Sequence, residues 1–125
     1  MSKDRGVRAQ HWLARYLQTH GWPHAEVVGS GRKGSDLLGT PGIVWENKTA
    51  NSFRPVEWVR QAKAHSWSGQ VPVVVYWPNG IGENTPDAAM GIVPLPVLAG
   101  LLRAAGYGFA AAESSPPKSP RAAGP

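Results

Sequence analysis

Apolar residues recur along residues 4–19 with helical spacing. Val7, Trp12, Leu13, Tyr16 and Leu17 form a broad stripe, and Gly21 and Pro23 end it. The period then changes from helix to strand. Residues 25–28 read as a short strand, residues 36–38 as a second, turned at Gly39-Thr40-Pro41-Gly42, and residues 43–49 as a third. Two-residue alternation puts Ile43, Trp45 and Asn47 on one face of that third strand and Val44, Glu46 and Lys48 on the other. Pro55 opens a second helix that runs to about Ser66. VPVVVYW, residues 71–77, is the most hydrophobic run and is expected to be central, with Pro72 tolerated near its start. PNGIGENTPD reads as a loop, residues 89–93 as another short strand, and residues 94–105 as a last helix ended by Gly106.

The resulting order, α-β-β-β-α-β with a strand and a helix after it, predicts an α/β fold: a mixed β-sheet flanked by helices. The chain of 125 residues is expected to form a single domain over residues 1–110. The last fifteen residues, AAESSPPKSPRAAGP, carry too little large apolar surface to offset ordering entropy and read as a disordered tail.

Charge adds a partner. The net charge is +5 and the pI about 10.0, a balance that favours nucleic acid. Ten of the thirteen Lys and Arg lie at or before Lys63, and residues 64–102 contain none, so most of the basic residues belong to the foldable part. Arg60 and Lys63, three apart on the second helix, would suit a phosphate track, or equally a solvated face. Among the six tryptophans, Trp12, Trp45 and Trp77 are expected in the core, while Trp58 and Trp67 stay open between core and surface. His11, His20, His24 and His65 have no metal-ligand spacing.

The stretch GSGRKGSDLLGTPGIVWENK, residues 29–48, admits two chemistries. Its first six residues fit GxGxxG, the pattern of a dinucleotide-binding loop. That loop must pass directly from a strand into a helix, whose N-terminus holds the pyrophosphate. Here Gly34 leads into a turn and another strand, and the pattern fails in its context. The second chemistry is cleavage of a phosphate backbone. Glu46 and Lys48 share a strand face, and a hairpin would bring Asp36 to Glu46. Adjacent carboxylates repel unless a cation lies between them. An oxygen-rich pair suits hard divalent ions such as Mg²⁺, and a neighbouring ammonium can orient a water and offset phosphate charge.

Asp36, a nine-residue spacer and Glu46-Asn47-Lys48 resemble the D…ExK signature of the PD-(D/E)XK nuclease superfamily, and the element order resembles its restriction-endonuclease-like core. Within that superfamily, RG ahead of an amphipathic helix, followed by SGRKGSD, looks like the archaeal and phage Holliday junction resolvases. The resemblance covers residues 5 to about 77. It implies that Asp36 and Glu46 are metal ligands, with the Asn47 backbone carbonyl as a third, and that Lys48 is the catalytic lysine. It implies phosphate contacts for Ser30, Arg32, Lys33 and Ser35, and an accessory place near the site for Gln61. Resolvases of this group carry a glutamate on the first helix, and the best-aligned residue here is Gln10, which can bind a water but brings no charge.

The expected function is therefore a Mg²⁺-dependent endodeoxyribonuclease, with Mn²⁺ able to substitute, acting on branched or four-way DNA as a Holliday junction resolvase and as a homodimer. A repair or restriction-type nuclease of the same fold, and a non-catalytic nucleic-acid-binding module with a decayed site, stand as alternatives. No apolar run approaches the ~20 residues of a membrane span, and MSKDRGVRAQ lacks the apolar centre of a signal peptide. With no cysteines, a cytoplasmic setting is expected, in a bacterial, archaeal or phage-infected cell, and no membrane partner.

Overall fold

The computed structural model describes residues 2–29 and 34–109. Ser30, Arg32, Lys33 and the expected tail at 111–125 lie outside the described residues. Among the described residues the protein is α/β, with a three-stranded mixed sheet, a separate two-stranded sheet and three α-helices, and the chain divides into two compact units, Met1–Val93 and Pro94–Pro125.

In the first unit the elements follow as α1 (Ser2–Gln18), β1 (Glu26–Val27), β2 (Leu37–Leu38), β3 (Ile43–Lys48), α2 (Pro55–Ala64), β4 (Val71–Tyr76) and β5 (Met90–Ile92). A 3-10 turn at Pro86–Ala88, which the sequence pattern does not indicate, precedes β5. β4 takes the centre of a three-stranded sheet, parallel to β3 through the α2 crossover and antiparallel to β5. Pro72 fits this central strand for a reason of register. The Val71 and Trp77 amides donate to Gly42 and Lys48, so odd-numbered amides of β4 face β3. The N–H that Pro72 lacks would face the other side, where β5 pairs only with Val74–Tyr76.

The sheet alternation sorts the core into two layers. Trp45, Val75 and Trp77 pack with Ala9, Leu13, Ala14 and Leu17 of α1. Val74 and Tyr76, on the other face, pack with Trp58 and Ala62 of α2. In a parallel pair, partners in register point the same way. Glu46 opposite Val74 and Lys48 opposite Tyr76 therefore lie on the α2 face. The α1 stripe differs from its expected composition. Val7 and Tyr16 are exposed, Trp12 is half-buried, and the buried line runs through Ala9 and Ala14 instead. Alanine carries little apolar weight in a sequence pattern, but it lets the helix approach the sheet closely. Tyr16 instead stacks on His20 one turn later, with ring centroids 3.9 Å apart.

Two devices fix the frame around the future site. Arg5 donates to the carbonyls of Thr49, Trp77, Pro78 and Ile81, clasping the ends of β3 and β4 to the start of α1. This cation is held by backbone carbonyls and is structural, whereas Arg15 and Arg54 stand in exposed pairs with Glu83 and Glu57. Gly39 turns the chain after β2 with φ of 80°, and an added Cβ there would lie 1.9 Å from the His24 carbonyl oxygen. Only glycine lets β2 return this closely to β1.

In the second unit, α3 (Leu95–Ala104) begins after Pro94. It closes with the Gly106 amide donating to Arg103 and the Tyr107 amide to Leu102, and Gly106 takes φ of 104°. This is the glycine-terminated helix end that the sequence indicated.

Candidate functional site

The site forms on the free edge of β3. The Trp45 carbonyl accepts from the Asp36 amide at 2.9 Å, and within a strand the N–H and C=O of one residue point the same way. The odd-numbered residues of β3 therefore turn their backbone groups away from β4. A second strand would normally take them. Here the Asp36 amide takes the Trp45 carbonyl and side chains take the amides: Ser35 Oγ accepts from the Trp45 amide at 2.9 Å, and Asp36 Oδ2 accepts from the Asn47 amide at 2.7 Å. Asp36 lies one residue ahead of β2, and its carboxylate is held as a substitute rung of the ladder. The Asn47 carbonyl points to the same edge, toward Asp36.

Glu46 and Lys48 lie on the α2 face of β3, close enough for their charges to act on the Asp36 carboxyl. Lys48 Nζ lies 3.2 Å from Glu46 Oε2, and His65 Nδ1 lies 3.6 Å from Glu46 Oε1. Glu46 is only 9% exposed, and its Oε1 has no hydrogen-bond partner. His65 caps the C-terminus of α2, and Gln61 lies one turn earlier on the same helix face. Gln61 Oε1 is also buried without a hydrogen bond. The Asn47 side chain goes to the opposite face, where Oδ1 accepts from Trp77 Nε1 at 2.8 Å and fixes the strand beneath the carboxylates.

Burial pushes the Asp36 carboxyl above the usual carboxylate range. The Asn47 amide opposes that rise, the Glu46 charge adds to it, and Lys48 and His65 oppose it. A raised native value means that the folded protein holds this proton more tightly than the unfolded chain does. That contribution to stability is complete below the ordinary aspartate value and is lost as pH rises through the raised one. At neutral pH, without a cation, ionised Asp36 is therefore a cost. In EDTA at pH 7, Asp36→Asn is expected to melt above the wild type, with the gap narrowing as pH falls toward the ordinary aspartate range. Mg²⁺ should raise the wild-type midpoint and leave the variant unmoved. A variant that melts below the wild type at pH 7 contradicts this account of the site.

Among the described residues, no group of three or more His, Cys, Asp or Glu side chains is arranged to hold a metal. Mg²⁺ does not require one, because it is commonly held by one or two carboxylates with waters and substrate oxygens. The donors present fit that ion: Asp36, Glu46 Oε1, which makes no hydrogen bond, and the edge-facing Asn47 carbonyl.

The other expected residues divide. Ser35 is near the site, but its oxygen accepts two backbone amides, those of Trp45 and Leu37, which gives it a structural task. Gln10 is half-buried on α1, which packs on the face of β3 opposite Glu46 and Lys48. Among the described residues it makes no hydrogen bond to either carboxylate. Arg60 and Lys63 line a separate groove with Val56, Val59 and Ile92, on the side of α2 away from Gln61 and His65. The structure does not bring them to the carboxylates. The 3.6-residue period already contained this result, since residues 61 and 65 share one face and residues 60 and 63 fall off it. His65 is the residue that sequence reasoning missed. Comparison of the chain with family models, curated proteins and solved structures finds no match.

Proposed function

We propose that the chain is a Mg²⁺-dependent endodeoxyribonuclease with a restriction-endonuclease-like core, and that its substrate is a four-way DNA junction. The observation that carries this reading is Asp36 held on the Asn47 amide at the edge of β3, with the charges of Glu46 and Lys48 acting on its carboxyl and Glu46 Oε1 buried without a hydrogen bond. When bound, Mg²⁺ would supply Lewis-acid charge at the phosphate. Asp36, Glu46 and the Asn47 carbonyl would hold it. Lys48 would release Glu46 to the ion and turn its ammonium to the phosphate and the attacking water. Hydrolysis then adds one water across a P–O bond: the water oxygen bonds to phosphorus, and the ester oxygen leaves with a proton. Arg60 and Lys63 would meet phosphates away from the cut.

Junction resolution needs two matched cuts on opposing strands, and one chain offers one such site. A twofold dimer supplies two sites related by the axis of the junction. The sequence of α3, LPVLAGLLRA, supplies aliphatic surface for such an interface. The test joins both properties. Sedimentation equilibrium at micromolar concentration is expected to give a dimer, and a four-way junction with Mg²⁺ should yield paired cuts on opposing strands. A monomer that cuts duplex DNA as readily as junctions contradicts the resolvase assignment and favours a repair or restriction-type nuclease.

A further inference from the structure

Trp67 stands out among the tryptophans. Its indole is 80% exposed, the most exposed of the large apolar side chains among the described residues. Its backbone, by contrast, is tightly held. The Trp67 amide donates to Gln70 Oε1 at 2.7 Å, and the Gln70 amide donates back to the Trp67 carbonyl at 3.0 Å. Gly69, at φ of 89°, gives the turn the positive φ it requires at its third position. Just before it, Ser66 Oγ ties the turn to α2 through the Ala62 carbonyl at 2.8 Å. The segment is built to present an aromatic ring to solvent.

Trp67 lines a groove of about 310 Å³ whose wall is formed by sequence neighbours of the proposed catalytic residues and by His65. Its wall includes Gly34 and Ser35, immediately before Asp36; Val44, two residues before Glu46; and His65, 3.6 Å from Glu46 Oε1. A phosphate at the carboxylates would place its neighbouring nucleotide in this groove, against the indole. An exposed, positioned aromatic face offers stacking to any nucleobase, but only to one whose own face is free. A base inside a continuous duplex has both faces covered.

We propose that Trp67 is a specificity-determining residue that stacks on a base with a free face next to the scissile phosphate, so that the substrate class is DNA whose stacking is interrupted at the cut, by a branch point or by unpaired nucleotides. This rests on the nuclease reading for the position of the phosphate.

The experiment separates the two. Affinity is measured in EDTA, by fluorescence anisotropy, for a single strand, a duplex carrying an unpaired stretch and a full duplex of the same length. The full-length wild type, Trp67→Ala and Trp67→Phe are compared, with melting midpoints recorded for each. The wild type is expected to bind the two unpaired substrates about tenfold more tightly than the duplex. Trp67→Ala should lose that preference with duplex affinity and midpoint unchanged, and Trp67→Phe should keep most of it. A 2-aminopurine in the unpaired stretch should be quenched by the wild type and by Trp67→Phe, and not by Trp67→Ala. A wild type without the preference, or a Trp67→Ala protein that retains it, overturns the proposal. Cutting in Mg²⁺ is scored separately. Its absence in the wild type on all of these DNAs and on a four-way junction overturns the nuclease reading, whatever the binding series gives.

Discussion

Glu46→Gln and Asp36→Asn are each expected to lower metal-dependent DNA cutting by more than about a hundredfold, since even residues that merely orient metal ligands cost tenfold to a hundredfold. Both changes remove ligand charge and leave the shape of the site. Lys48→Ala should lower cutting to a similar degree by a different route. Its ammonium lies 3.2 Å from Glu46 Oε2 and competes with a cation for that carboxylate. Removing it should leave Mn²⁺ affinity, measured by titration calorimetry, unreduced, whereas the two carboxylate variants should lose Mn²⁺ binding. DNA affinity in EDTA should change little in all three. If Lys48→Ala loses Mn²⁺ binding together with Glu46→Gln, the lysine supports the site rather than acting on phosphate and water.

Trp77→Ala is expected to be the most destabilising of the tryptophan substitutions, by about 3–5 kcal/mol. Trp77 is 2% exposed, sits edge-on to Trp12 at 5.3 Å and lies just past the end of β4, where its backbone N–H donates to the Lys48 carbonyl. Its indole N–H also holds Asn47 Oδ1 at 2.8 Å, and Asn47 Nδ2 is already buried without a partner. Losing the indole leaves the Asn47 amide wholly unpaired beneath the Asp36 and Glu46 edge. Against a typical domain stability of about 5–15 kcal/mol, such a loss brings the protein close to unfolding. Urea unfolding followed by far-UV circular dichroism measures it, and a loss below about 1 kcal/mol contradicts the packing described for the α1 layer.

Element order was legible because glycine and proline punctuate the chain and the apolar period changes cleanly between helix and strand. The placement of Glu46 and Lys48 on one face followed from strand alternation alone. Other parts depend on contacts that periodicity cannot carry. Asp36 reaches Asn47 through its side chain and not through a regular hairpin, because Ser35 and Asp36 replace the backbone rungs at the edge of β3. His65 meets Glu46 only because the α2 crossover returns the chain over β3. The exposed position of Val7 is invisible to a pattern that weights valine above alanine, although the helix is anchored through Ala9 and Ala14. The basic residues carried a mixed signal. Arg5 clasps backbone carbonyls, Arg60 and Lys63 turn away from the carboxylates, and Ser30, Arg32 and Lys33 lie outside the described residues.

The most direct measurement of the central claim is DNA cutting by the purified full-length protein. A four-way junction, a duplex and a single strand are each incubated with Mg²⁺, Ca²⁺ or EDTA, with Asp36→Asn in parallel. The site described here predicts cutting of at least one substrate in Mg²⁺, none in EDTA, little in Ca²⁺ and none by the variant. Cutting that persists in EDTA, an Asp36→Asn protein as active as the wild type, or a wild type inert toward all three DNAs in Mg²⁺ contradicts it.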